Sequence, residues 1–243
     1  GCRNGTINVY AVQQQMLIHG FEAHKKRMQG SNVFSLTWLP DNTLVSAGHD
    51  ATIRFWRIGS STGDIKLKSE IDARGKKNGF ETNTITIGHA KQVFTLASKE
   101  WLLVSGSEDR TVRAWDVSDP DNPKPLGVMM KFDDRVTCVD LARVDGHLLL
   151  GSVSRNIGVQ IRDFTRIDQV QVLAFATSEF EAYSLSLSPL GMLAIGGKGG
   201  VIYSSISSSG EMQGKTFFLE RNNNKDFVKV VKFSPDGRYL AVK

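Results

Sequence analysis

Two sets of side chains in this 243-residue chain have the types and order that nucleophilic chemistry requires: His24, Ser46 and Asp50, and then His89, Ser105 and Asp109. A histidine that takes a proton from a serine hydroxyl, held by a carboxylate on its other nitrogen, is the machinery of a serine hydrolase. That chemistry also needs a serine raised on a sharp turn and donors aimed at the oxyanion, and neither set carries a nucleophile-elbow motif. A structural role accounts for the same residues. A buried carboxylate needs donors, an imidazole supplies one, and a buried indole N–H needs an acceptor. Trp56 and Trp115 follow Asp50 and Asp109 at equal spacing. The hydrolase reading lacks its further parts, so no catalytic residue and no enzyme is expected. The neighbouring His49-Asp50 pair is set aside as a metal site on the same grounds.

Other candidates are weaker still. Gly196-Gly197-Lys198-Gly199-Gly200 lacks the Ser or Thr after Gly-Lys and the helix that a phosphate-binding loop needs, so it is expected to be a turn. The runs His24-Lys25-Lys26-Arg27 and Lys76-Lys77 have no interleaved aromatic platform and are expected to be solvated loops. A nucleic-acid or ribonucleoprotein partner contacting Lys25, Lys26, Arg27, Lys76 and Lys77 is the second functional expectation. Cys2 and Cys138 show no metal-ligand spacing, so no metal and no cofactor is expected.

Two thiols read as reduced, an apolar content of 40%, and no apolar run near the ~18 residues of a membrane span point to one folded domain away from membranes. The opening Gly-Cys-Arg-Asn-Gly-Thr has no signal-peptide apolar region, and an intracellular location, cytoplasmic or nuclear, is expected. Asn4-Gly5-Thr6 matches a glycosylation pattern that has no meaning in such a compartment. With 30 basic against 25 acidic residues, the net charge of +5 favours acidic partners only slightly.

The elements that must position these residues are short β-branched runs separated by polar turns, and they repeat. Val33-Phe34-Ser35-Leu36-Thr37-Trp38, Thr43-Leu44-Val45-Ser46 and Thr52-Ile53-Arg54-Phe55-Trp56 make one unit, with turns at Asp41-Asn42 and His49-Asp50. Innermost strands starting at Val33, Val93, Val136, Ala182 and Val228 recur at about 45 residues after a longer first interval. The units run approximately 33–89, 93–132, 136–176, 182–219, and 227–243 together with 1–22. The long first interval is assigned to a loop insertion at about 59–79, with an extra hairpin around Ile65-Lys66-Leu67-Lys68.

The frame that opens with Gly88-His89 and closes with Trp115-Asp116 resembles a WD repeat, one four-stranded blade of a β-propeller. The resemblance implies an all-β fold of antiparallel four-stranded blades, with about five blades' worth of strands, and a buried bracing network at His24, Ser46, Asp50 and Trp56 and again at His89, Ser105, Asp109 and Trp115. Lys243 placed before Gly1 continues in register with Trp101 to Trp115. The first and last units are accordingly expected to share one blade, or to be cut from a longer propeller. At the network positions the fourth unit has Asp133 or Asp134, Arg155 and Ile161, the fifth Glu179 or Phe180, Gly199 and Ser205, and the composite unit Asn4 and Tyr10. The network is expected to be absent or partial there.

In the family, the second residue of each innermost strand faces the mouth of the central channel. The matching positions are Phe34, Phe94, Thr137, Tyr183 and Lys229, with Lys91, Gln92, Glu108, Arg135, Arg155 and Lys198 as a charged rim. The implied function is a non-catalytic scaffold that binds protein or peptide segments at that mouth, within a multiprotein complex. The single run from Leu36-Thr37-Trp38 to Ile53-Arg54-Phe55-Trp56 is also similar to a blade of actin-interacting propeller proteins, which would imply cytoskeletal partners.

Overall fold

The computed structural model describes residues 4–13, 15–24, 31–59, 64–71, 88–155, 158–165, 170–171, 181–207, 212–220 and 227–243, with backbone alone at 170–171 and 212–220. Every regular element among them is a β-strand. Strands β3 (Val33–Trp38), β4 (Thr43–Gly48), β5 (Ile53–Ile58) and β6 (Ile65–Ile71) form one antiparallel sheet in sequence order. So do β7 (Val93–Lys99), β8 (Leu102–Ser107), β9 (Thr111–Asp116) and β10 (Lys124–Lys131). The next two are β11 (Val136–Val144), β12 (His147–Ser154), β13 (Val159–Asp163) and β14 (Val170–Gln171), then β15 (Ala182–Leu187), β16 (Met192–Gly197), β17 (Gly200–Ile206) and β18 (Met212–Glu220). Two-stranded sheets stand at the ends: β1 (Thr6–Ala11) with β2 (Met16–Glu22), and β19 (Val231–Phe233) with β20 (Leu240–Val242). Four meandering four-stranded blades are the architecture of a partial propeller.

Ile65–Ile71 corrects the expected loop and extra hairpin. It is the outermost strand of the first full blade, paired with β5 from Ile58↔Ile65 to Ile53↔Ile71. Lys66, Leu67, Lys68 and Glu70 suit an edge strand with solvent on one side, a pattern that charge density makes look like a loop.

The chain divides into two compact units, Gly1–Met129 and Met130–Lys243. In each, apolar residues from the faces of adjacent blades interlock. Val45, Ile53 and Phe55 of β4 and β5 meet Leu96, Leu103 and Trp115 of the next blade in the first unit. Leu149, Val153 and Ile161 meet Leu185, Leu193 and Ile195 in the second. The second strands β4 and β8 are buried at every residue, because both of their faces are covered, and their sequences are accordingly almost free of charge. Close approach needs small residues as well. A Cβ on Gly196 would come within 2.6 Å of Val228 Cγ1, where β16 packs on the last hairpin.

Polar side chains tie neighbouring innermost strands together. Leu96 N–H donates to Ser35 Oγ at 3.0 Å, and Val231 N–H to Ser184 Oγ at 3.0 Å. The buried Asp140 carboxylate accepts from Leu187 N–H at 2.9 Å, Ser186 Oγ at 3.0 Å and Lys232 Nζ at 2.7 Å, joining β11, β15 and β19. Each satisfies a group that burial would otherwise leave exposed to the cost of an unmade hydrogen bond.

Candidate functional site

One turn chemistry recurs where strands meet. In Asn4-Gly5-Thr6, Asp41-Asn42-Thr43, Asp50-Ala51-Thr52, Asp109-Arg110-Thr111 and Asp163-Phe164-Thr165, the threonine hydroxyl and backbone N–H both donate to the first residue's side-chain oxygen. The middle residue takes a positive φ in four of them: 82° at Gly5, 62° at Asn42, 64° at Ala51 and 70° at Arg110. Two of these turns deliver the aspartates of the expected networks.

In the first full blade the network is complete. Trp56 Nε1–H donates to Ser46 Oγ at 2.9 Å, and Ser46 Oγ lies 2.8 Å from His24 Nε2. His24 Nδ1 lies 2.9 Å from Asp50 Oδ1, and Arg54 reaches the other carboxylate oxygen at 3.2 Å. With the indole N–H directed at the serine oxygen, the serine faces one ring nitrogen of His24 and the Asp50 carboxylate the other, so every atom in the line has a partner. Burial by itself raises the Asp50 carboxyl, but the His24 contact, the Arg54 charge and the Thr52 hydroxyl outweigh it and hold the group at about 2.

The distances are those of a hydrolase triad, and burial decides against that chemistry. His24 and Ser46 are each 0% exposed, so no substrate carbonyl reaches the hydroxyl, which already accepts from Trp56. Gly5 and Gly48 shape this enclosure. A Cβ on Gly5 would lie 2.1 Å from His24 O, and one on Gly48 would lie 3.0 Å from His24 Nδ1.

The second blade keeps three of the four members. His89 Nε2 is 2.6 Å from Ser105 Oγ and His89 Nδ1 is 2.9 Å from Asp109 Oδ2. Trp115 departs from expectation: its Nε1 has no hydrogen-bond partner among the described residues, and its ring meets His89 edge-on at 5.9 Å. Burial pushes the His89 imidazole below its ordinary value, against the pull of Asp109, so it stays neutral at pH 7. Asp109 is held well below the carboxylate range; burial opposes this, but the His89 and Thr111 bonds prevail.

The third blade has a pair that the aligned positions Asp133, Asp134, Arg155 and Ile161 do not reveal. His147 Nδ1 lies 2.7 Å from Asp163 Oδ2, on β12 and β13, with Thr165 on the same carboxylate. The signal available was the Asp-x-Thr spacing, which Asp163 and Thr165 share with the other turns. Asp134 instead receives Arg135 N–H at 2.7 Å, Arg155 pairs with Glu181 at 3.5 Å, and Ile161 is core. Glu179 and Phe180 lie outside the described residues, as do Cys2 and the basic positions Lys25, Lys26, Arg27, Lys76 and Lys77. Gly199 is a turn residue at φ 86° in the two-residue hairpin closed by Gly197↔Gly200, and Ser205 pairs with Met192 on β16.

Four of the five expected mouth residues, all but Lys229, share a feature absent from the sequence pattern. Pairing with the second strand skips one residue near the start of each innermost strand: Val33↔Gly48 then Ser35↔Ala47, Val93↔Ser107 then Thr95↔Gly106, Val136↔Ser154 then Cys138↔Val153, Ala182↔Gly197 then Ser184↔Gly196. The skipped residues are Phe34, Phe94, Thr137 and Tyr183. A β-bulge releases such a residue from the ladder and re-aims its side chain.

In the first unit Phe34 and Phe94 meet edge-to-face at 5.2 Å, and Phe34, 38% exposed, has the His49 ring on its other side at 6.2 Å. Gln92 Nε2 lies 3.0 Å from His49 Nε2, Glu108 N–H donates to Gln92 O at 3.0 Å, and Lys91 is exposed beside them. In the second unit Tyr183 stacks edge-on to Phe227 at 5.6 Å and its hydroxyl donates to Glu181. Thr137 Oγ1 is turned to backbone, donating to Val153 O at 3.2 Å and Ala182 O at 3.3 Å. Lys198 and Lys229 are exposed, and Arg135 and Arg155 are half-buried. Among the described residues no cluster of His, Cys, Asp and Glu could hold a metal.

Meandering four-stranded blades, braced by buried His–Ser–Asp–Trp hydrogen bonds, define a repeat scaffold whose rigid core presents loops and bulges. The family "WD domain, G-beta repeat" matches residues 15–57 and 81–116, the two segments that carry the networks. Over those two segments the chain is similar to WD-repeat proteins. It is 26% identical over 193 residues to Protein SPA1-RELATED 3 of Arabidopsis thaliana, covering 66% of this chain and 22% of that protein. It is 28% identical over 130 residues to WD repeat-containing protein pop2 of Schizosaccharomyces pombe, covering 49% and 18%. Human WD repeat-containing protein 37 is 29% identical over 118 residues, covering 49% and 20%. The chain thus spans about a fifth of the length of these relatives. WD-repeat proteins are generally non-enzymatic and act as protein-interaction scaffolds within complexes.

Proposed function

We propose that this chain is a non-catalytic scaffold that holds a protein or peptide segment on the blade face where the bulged residues emerge. The observation that carries the reading is the same bulge in all four full blades, which places Phe34 and Phe94 side by side and partly open. Two aromatic rings with unfilled area, beside the polar groups of His49, Gln92 and Glu108, suit an apolar anchor side chain flanked by peptide backbone. Catalysis is not part of the proposal, because both serines that resemble nucleophiles are 0% exposed.

The test is quantitative affinity purification of the wild-type chain against Phe34→Ala with Phe94→Ala, and against His147→Ala as a control away from the bulges. Polypeptides captured by the wild type and the control should fall at least tenfold with the double variant, while its melting temperature stays within a few degrees. Undiminished capture by a folded double variant would refute the site.

A further inference from the structure

Asn4 stands outside both the bracing networks and the bulged face, yet its surroundings assemble the parts of a reaction. The residue is exposed to water, and the residue after it is a glycine that places no side chain over the main chain. Asn4 Oδ1 accepts two hydrogen bonds, from Thr6 Oγ1–H at 2.7 Å and Thr6 N–H at 3.3 Å. An electrophilic carbonyl polarised by two donors therefore adjoins the amide of the buried Gly5, which no backbone acceptor takes among the described residues.

We propose that Asn4 is a site of spontaneous deamidation and isoaspartate formation, with Thr6 as the residue that promotes it. Hydroxide removes the Gly5 N–H proton, and the nitrogen attacks Asn4 Cγ to form a five-membered ring. The negative charge on Oδ1 in the tetrahedral intermediate is stabilised by the same Thr6 O–H and N–H, as an oxyanion hole would do. The Cγ–N bond breaks, the amide nitrogen leaves as ammonia after taking a proton from water, and a succinimide remains. Water then opens either carbonyl, giving aspartate or isoaspartate at position 4. No oxidant or cofactor enters the balance.

The consequence reaches the buried network. Gly5 O accepts from Ala23 N–H at 2.8 Å and His24 N–H at 3.1 Å, which fixes the backbone that carries the imidazole. Gly5 has no room to shift toward His24, since even a Cβ there would meet His24 O at 2.1 Å. An isoaspartyl link adds one main-chain carbon immediately before this glycine and moves its carbonyl. Conversion at an exposed asparagine thereby loosens a brace two strands away.

The experiment incubates the full chain at pH 8 and 37 °C and follows positions 4 and 78 by peptide mapping, since Asn78 also precedes a glycine. Asn4 should convert to aspartate and isoaspartate. Thr6→Val should slow that conversion at least threefold, Thr6→Ser should restore it to within twofold, and Asn78 should convert at one rate in all three chains. The converted fraction, separated by ion exchange, should melt below the unconverted one. Asn4 left intact, an equal or faster rate in Thr6→Val, or equal slowing at Asn78 would overturn the promoted reaction. Identical melting of the two fractions would overturn its coupling to His24.

Discussion

Single residues in the two networks differ in what they leave behind when removed. Ser46→Ala orphans two buried groups, the Trp56 indole N–H and the His24 Nε2, whereas Ser105→Ala orphans only His89 Nε2. A buried unpaired polar group costs about 1–3 kcal/mol. Ser46→Ala should therefore destabilise the chain by about 1 kcal/mol or more beyond Ser105→Ala, measured by urea denaturation. His24→Ala removes the main partner of a buried carboxylate and should cost about 3 kcal/mol, with Arg54 keeping it from more.

The pH dependence follows from the same side chains. His89 is depressed when folded, so its contribution is complete above its unfolded value of about 6.5 and declines as pH falls below it. Asp50, held at about 2 when folded, contributes above its unfolded value near 3.8, and that contribution is lost as pH falls from about 4 toward 2. Stability measured by denaturant titration should decline in these two successive windows. His89→Gln should remove the upper one. These network residues were legible because serine, aspartate and tryptophan recur at matched spacing in a frame that resembles a WD repeat, each with a histidine upstream. Trp115 was not, since spacing places its ring and says nothing of where its N–H finds an acceptor.

At the scale of elements, turn chemistry and close packing set the limits. Ala51 sits at φ 64°, where an L-residue with a Cβ is disfavoured by about 1–2 kcal/mol. Glycine there would relieve that cost but add about 0.5–1 kcal/mol of unfolded-chain entropy. Ala51→Gly should accordingly be slightly stabilising, by about 0.5 kcal/mol. Gly196→Ala should do the reverse, costing about 1–3 kcal/mol by overpacking against Val228 and Val231. The innermost strands beginning at Val33, Val93, Val136 and Ala182 could be read directly from apolar alternation. Their bulges could not, because Phe, Phe, Thr and Tyr share no type or spacing that marks a skipped pair. β6 was hidden by its lysines, and the His147–Asp163 pair by a histidine that enters from a strand rather than from the preceding loop.

For the whole molecule, a repeated blade divides labour between a buried frame and what the frame presents. Blade-on-blade packing and the hydrogen-bond braces consume the residues that look chemical, leaving loops and bulges for recognition. The net charge of +5 and pI near 9.2 add a mild preference for acidic partners without selecting one. The central claim is that a partner engages the bulged aromatic face of the first unit. Its most direct test replaces Phe34 with a photo-crosslinking phenylalanine analogue and, in a second chain, places the same group at Leu67 on the outermost strand β6. Irradiation in cells should yield a discrete protein adduct from position 34 and little from position 67. Adducts from position 67 with none from position 34 would contradict the account.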